Sequence, residues 1–222
     1  LRHTRLCKLS RGLGDVYKRQ LLASVQDIVP KHVSCIYIRQ GEPLGLGHAV
    51  LCARPAVGNE PFYVHLADDL ISGKPCLVEL AEEYGKHGHS VLAVETVPEE
   101  NTSSYGIVAV EASAGAHRLT EIVEKPAPAD APSNLAVVGR YLLAPGIWDK
   151  LENTGRGAGG EIQLTDAIAD LLAEEAVYAH PFSGTRYDCG SKLGYLQASV
   201  AYGLARDDIG EKFRAFLKAS IE

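Results

Sequence analysis

Two apolar stretches of this chain run toward carboxylates. "FYVHLA" at 62–67 ends in Asp68 and Asp69, and "VYAHPF" is followed by Asp188 in "YDCGSK" at 187–192. Adjacent carboxylates at a strand end supply hard oxygen ligands of the kind that hold Mg²⁺. Successive strand residues point to opposite faces, so one of the pair faces a site there. The competing use is a turn or helix cap, and it is open to Asp188 as well.

"VEKP" at 123–126 places Glu124 and Lys125 between an apolar strand and a proline. An ammonium at that point can hold a phosphate as a point charge. A carboxylate can accept hydrogen bonds from sugar hydroxyls; the alternative for both is a solvated strand end. "QGEPLGLGHAV" at 40–50 is glycine-rich. The Gln40 amide offers donors and an acceptor, which suits the edge of a base. Gly45 and Gly47 let backbone approach a ligand closely, or form a tight turn with none. Cys189 reads as a small packed residue, because no catalytic histidine is identifiable beside it. The eight histidines show no metal-ligand spacing, and His48 and His65 read as structural.

The elements that must position these residues follow from periodicity. "VSCIYI" at 33–38 reads as a buried strand, and "HAVLCA" as a short helix stopped at Arg54-Pro55. "FYVHLA", "SVLAVETV", "IVAVEA", "RLTEIVEKP", "NLAVVGRYLLA" and "VYAHPF" read as strands. "LVELAEEYGKHG" is an amphipathic helix with a glycine stop. Leu164, Ala167, Ile168, Leu171 and Leu172 form one helical stripe, and Leu193, Leu196, Val200 and Leu204 another. Alternating strands and helices in the first half predict a mostly parallel sheet covered on both faces. Ligands of such sheets sit beyond the strands' carboxyl ends, where the candidate residues lie.

A chain of 222 residues is long enough for one domain with a substantial core. No apolar run reaches the length of a membrane span, and no secretory leader is evident. Five widely spaced cysteines without a C-x-x-C predict a reduced, cytoplasmic protein. The net charge of −6 conceals a basic start. Residues 1–20 carry six Lys and Arg against Asp15 alone, so the remainder is strongly acidic. An acidic body excludes the electrostatic footprint of a nucleic-acid-binding protein. Residues 1–20 have no helical or strand period, and their composition breaks off near Leu21. They read as a basic arm or, preferably, as linker or adaptor sequence, leaving 21–222 as one partial domain.

"RQGEPLGLGHAVLCA", "LADD", "VPEENTSSYGIV", "IVEKP", "PSNLAVVGRYLL", "GGEIQLTDAI" and "YDCGSKLGY" together resemble the bacterial UTP–glucose-1-phosphate uridylyltransferases, or UDP-glucose pyrophosphorylases. The resemblance covers about Leu21 to Lys218. It implies a Rossmann-like α/β/α nucleotide-diphospho-sugar transferase fold and synthesis of UDP-glucose from UTP and glucose 1-phosphate with Mg²⁺. It further implies that Gln40 and Gly45 recognise uracil and that Asp68 and Asp188 hold the metal. Gly106 and Glu124 would contact the glucose hydroxyls, Lys125 the sugar phosphate, and Gly139 the sugar pocket. A cytoplasmic homo-oligomer with no nucleic-acid or membrane partner is also implied.

The sequence departs from the family at its start. The A-G-x-G-T-R-type loop that grips the triphosphate, and the strand before it, are not found; "RGLGD" at 11–15 is not a substitute. By this reading the chain is an N-terminally truncated fragment, expected to be inactive by itself. Three other readings compete. One is a thymidylyltransferase for glucose 1-phosphate, one a metal-dependent glycosyltransferase, and one a non-catalytic sugar-nucleotide-binding protein.

Overall fold

The computed structural model describes residues 22, 30, 32–113 and 116–221. The segment 1–20 lies outside the described residues. The chain divides into two compact units between Ile38 and Arg39.

In the first unit, residues 33–38 are not a buried strand. They form no ladder, and Ile36 and Tyr37 are 72% and 94% exposed. β-Branched and aromatic composition marks a residue that fits a pleated, half-buried surface. Among the described residues no strand pairs with this one, so the propensity has nothing to act on.

The second unit, Arg39–Glu222, is an α/β domain. It opens with helices α1 (Leu46–Cys52) and α2 (Arg54–Val57). Pro55 starts this second short helix rather than stopping the first, since proline fits a first helical turn. There follow β1 (Phe62–His65), β2 (Asp69–Ser72), α3 (Cys76–His87) and β3 (Ser90–Thr96). Next come β4 (Gly106–Ser113), β5 (Ala116–Glu124), β6 (Leu135–Leu143), α4 (Ile147–Asn153) and α5 (Leu164–Leu171). β7 (Val177–Pro181), β8 (Thr185–Asp188), α6 (Lys192–Leu204) and α7 (Gly210–Ile221) complete it.

The main sheet has the order β1-β6-β3-β7-β5-β4, with a further β4–β6 pairing. It is mixed rather than mostly parallel. Among the described strands β3–β7 is the parallel pair, and the other pairings are antiparallel. Parallel pairs require a crossover, whereas β4 and β5 pair directly from Gly106↔Glu124 to Ser113↔Ala116, with one register shift between Ala109 and Val110.

Alternation along β3 divides the core. Leu92 and Val94 pack with α4 and α5 on one face, through Ile147, Trp148, Leu151, Leu164, Ile168 and Leu171. Val91 and Ala93 pack with Cys76 and Leu80 of α3 on the other. The sheet is thus covered on both faces, which is why β6 is buried from Ala136 to Leu143. α3 ends as its glycine predicts: Gly88 sits at φ 70, and its N–H donates to Tyr84 O at 2.7 Å. α6 forms where expected, but its apolar stripe is not core. Leu193 and Leu196 are exposed, and Gly194 and Ala198 face inward.

β2 and β8, which periodicity does not reveal, form a separate ribbon with Asp69 opposite Asp188 and Ile71 opposite Arg186. β6 carries a register shift between Val137 and Tyr141 where it pairs with β3, and Gly139 lies within it. Leu66 N–H donates to Gly139 O at 2.9 Å, which ties the end of β1 to this irregularity.

Candidate active site

A cavity of about 350 Å³ opens beyond the ends of β1 and β5, beside the β2–β8 ribbon and over the middle of β6. Of the residues expected from sequence, Asp68, Gly106, Glu124, Lys125, Gly139 and Asp188 line it. Gln40 and Gly45 do not, although the next residue, Leu46, does.

At one end, two carboxylates converge. Asp68 O accepts the Cys189 N–H at 2.7 Å, which ties the residue before β2 to the residue after β8. A side chain at Gly190 would begin 3.1 Å from Asp188 Oδ1 and 3.2 Å from Asp68 Oδ2, so both carboxylates border one point. Asp188 does not cap α6 with its side chain. Ser191 does, accepting the Gly194 N–H on Oγ at 3.0 Å. Asp188 Oδ1 accepts from the Gly190 N–H, and Oδ2 from the Tyr105 hydroxyl. Two hard, partly exposed carboxylates at one point fit a divalent cation whose remaining ligands come from phosphate and water. Among the described residues no cluster of three metal-ligating side chains occurs.

Asp69 turns the other way, as strand alternation requires. Its side chain is buried against Gly139 and ion-paired with Arg186 Nε. Its carbonyl accepts from Arg140, which also bonds Leu66 O at 2.9 Å. Burial works against the Arg186 charge. The Tyr105 hydroxyl, 3.5 Å from the guanidinium, and the Asp69 carboxylate more than offset it, raising the pKa above the ordinary arginine value. The Tyr105 ring also lies under Arg186, with 5.1 Å from the guanidinium carbon to the ring centroid.

At the other end, the β4–β5 register brings two dipeptides face to face. Gly106 is opposite Glu124, and the Lys125 N–H donates to Tyr105 O at 3.0 Å. Continued strand geometry would send Glu124 and Lys125 to opposite faces. Lys125 instead adopts φ 45, the left-handed region that side-chain-bearing residues seldom enter. That turn returns the ammonium toward Glu124, with Nζ 3.5 Å from Oε1. Glu124 Oε2 accepts a 2.6 Å hydrogen bond from the Thr165 hydroxyl of α5. Asp166, beside it, has its pKa raised by burial and then by the charges of Glu124 and Asp170.

The glycine stretch is cleared for the chain itself. A side chain at Gly45, where φ is 105, would begin 2.7 Å from Ile162 O, and one at Gly47 2.8 Å from the same oxygen. The Gly47 N–H donates to Ile162 O at 2.9 Å and the Ile162 N–H to Leu44 O at 2.7 Å, so two backbones run in contact. Gln40 donates through Nε2 to Gly45 O at 3.0 Å and lies 2.9 Å from His48 Nδ1.

Arg186, Tyr105 and Thr165 are site residues that sequence reasoning missed. Their partners lie 117, 83 and 41 residues away, respectively. No local pattern marks such contacts.

The chain matches the nucleotidyl transferase family over residues 10–204. A UTP–glucose-1-phosphate uridylyltransferase of Haemophilus influenzae is 47% identical over 221 residues, covering 95% of this chain and 75% of that protein. A crystal structure of UDP-glucose pyrophosphorylase complexed with UDP-glucose superposes with a TM-score of 0.80 at 42% identity, covering 86% of this chain and 74% of that one. A UTP-bound enzyme from Acinetobacter baumannii gives a TM-score of 0.81 at 43% identity, covering 94% and 75%. The chain therefore spans about three quarters of the length of these relatives.

Proposed function

The chain belongs to the nucleotidyl transferase family and, within it, to the UTP–glucose-1-phosphate uridylyltransferases; on that premise we propose that its site serves the joining of UTP and glucose 1-phosphate into UDP-glucose and pyrophosphate. The observation that carries this reading is the single cavity lined at one end by Asp68 and Asp188 and at the other by Glu124 and Lys125. Separate places for a metal-bound phosphate and for a sugar phosphate are what the reaction requires.

In this reading an oxygen of glucose 1-phosphate attacks the α-phosphorus of UTP. The new O–P bond forms as the bond to the β-phosphate oxygen breaks, and pyrophosphate leaves with that electron pair. No covalent enzyme intermediate is needed, so the protein's work is positioning and charge neutralisation. Lys125 holds the phosphate of the nucleophile. Glu124 accepts from glucose hydroxyls, and Gly106 and Gly139 line the pocket around them. Asp68 and Asp188 would hold Mg²⁺, which neutralises phosphate charge when bound. Gln40 reads the uracil, and Gly45, whose own side-chain space is filled by Ile162, supports it by accepting the Gln40 amide on its carbonyl. Both amide N–H bonds of Gln40 are directed inward, toward Gly45 O and His48, so its oxygen is the group left for an N–H on the base.

A cytoplasmic setting is supported by the free thiols of Cys35, Cys52, Cys76 and Cys189. Among the described residues no helix is long and apolar enough to cross a membrane. Self-association is supported by the exposed apolar side chains of Leu193, Tyr195 and Leu196 on α6.

The test is calorimetric titration with UDP-glucose in MgCl₂, alongside dTDP-glucose and ADP-glucose. Saturable, Mg²⁺-dependent binding of UDP-glucose over both is expected. Equal binding of dTDP-glucose would move the assignment to a thymidylyltransferase. Glucose transfer to an acceptor without pyrophosphate chemistry would replace it with a glycosyltransferase. Where turnover is measured, Lys125→Ala should lower kcat/KM by roughly 10²–10³, the scale for losing one charge-stabilising donor.

A further inference from the structure

We infer that Thr165 is the positioning residue that gives the sugar end of the site its selectivity, by holding Glu124 in a single orientation; the inference rests on the function proposed above. Thr165 lies in the first turn of α5, yet its hydroxyl does not serve that helix. Gln163 is the cap residue, and no side chain caps the helix. The Thr165 hydroxyl instead crosses to β5 and donates to Glu124 Oε2 at 2.6 Å. Gly106, opposite Glu124 on β4, completes the arrangement. A side chain there would begin 3.3 Å from Thr165 Oγ1 and 3.4 Å from both Glu124 Oε2 and Thr165 Cγ2. Three elements therefore meet around one carboxylate oxygen.

The consequence is chemical. A carboxylate free to rotate presents either oxygen in many directions and pays rotamer entropy when it binds. With Oε2 engaged by Thr165, Glu124 presents Oε1, and Lys125 Nζ lies 3.5 Å from that same atom. The pocket thus offers one fixed acceptor beside one cation. A ligand carrying a hydroxyl close to a phosphate matches that pair; a ligand with phosphate alone uses the cation and leaves the acceptor unpaired. Of that pair, Thr165 bonds the acceptor and not the cation. Its removal should cost the sugar and spare the nucleotide.

The experiment is calorimetric titration of the whole chain with UDP-glucose and, separately, UDP, in MgCl₂. It compares the unaltered protein with Thr165→Val and Thr165→Ser. Thr165→Val should raise the Kd for UDP-glucose by roughly tenfold or more, the scale for losing a hydrogen bond to a charged group. The Kd for UDP should stay within about twofold, and Thr165→Ser should restore both. In a Glu124→Gln background the valine change should add nothing further to the UDP-glucose Kd. A general structural effect would raise both Kd values together, and that result overturns the inference. So does a Thr165→Val protein that keeps its full preference for UDP-glucose over UDP. If the unaltered protein shows no such preference, the function proposed above fails first and this inference with it. Thr165→Ala carries the same expectations should the valine variant not fold.

Discussion

Gly47 and Gly139 both lack room for a side chain, and they differ in what takes the room. At Gly47 it is backbone: Ile162 O would stand 2.8 Å and Gln163 C 3.0 Å from an added carbon. At Gly139 an added carbon would fall on Asp69 Oδ2, and would stand 2.9 Å from Leu66 Cβ. The first glycine joins the start of α1 to the backbone that leads into α5. The second makes space beneath the cavity for a carboxylate that Arg186 holds in an ion pair. One residue type thus does two jobs. Damage at Gly47 stays in a structural seam, while damage at Gly139 reaches the groups that frame Asp188.

Arg186→Met should have the largest effect. It leaves Asp69 buried and unpaired, a loss of about 3–5 kcal/mol, read as a lower urea midpoint. A loss under about 1 kcal/mol would remove the ion pair from the fold's essential contacts. Gly139→Ala comes next, at about 2–3 kcal/mol for overpacking. Because it displaces the same carboxylate, its cost should fall short of additivity with Arg186→Met. Gly47→Ala should cost about 1–3 kcal/mol and add fully to Arg186→Met. Additivity in both double variants would erase the distinction between the two glycines. Gly106→Ala meets contacts of 3.3–3.4 Å that need yield only slightly. It should cost under about 1 kcal/mol in stability while weakening UDP-glucose binding. Gly85→Ala, within α3 and with nothing inside 4 Å, should stabilise by about 0.5–1 kcal/mol.

The stripe on α5, the strand nature of β3 and the stop at Gly88 were legible because a short window contains the whole physical cause. The strand-end carboxylates and Lys125 were legible for the same reason, since each follows an apolar run. β2 and β8 were not. Each has four residues of mixed burial, and the ladder that makes them strands joins positions more than a hundred residues apart. The stretch 33–38 shows the reverse failure, with strand-like composition and no described partner. The glycines at 45 and 47 mark a close approach in the sequence, which does not say what approaches; in the fold it is the backbone at Ile162.

Lys125 holds a backbone conformation that costs a side-chain-bearing residue about 1–2 kcal/mol relative to glycine. A library screened for thermal survival alone would therefore enrich Lys125→Gly, which relieves the backbone and discards the ammonium. Selection for robustness and selection for catalysis would pull this codon in opposite directions. A thermostable descendant that has lost the proposed sugar-phosphate contact should be sought here first.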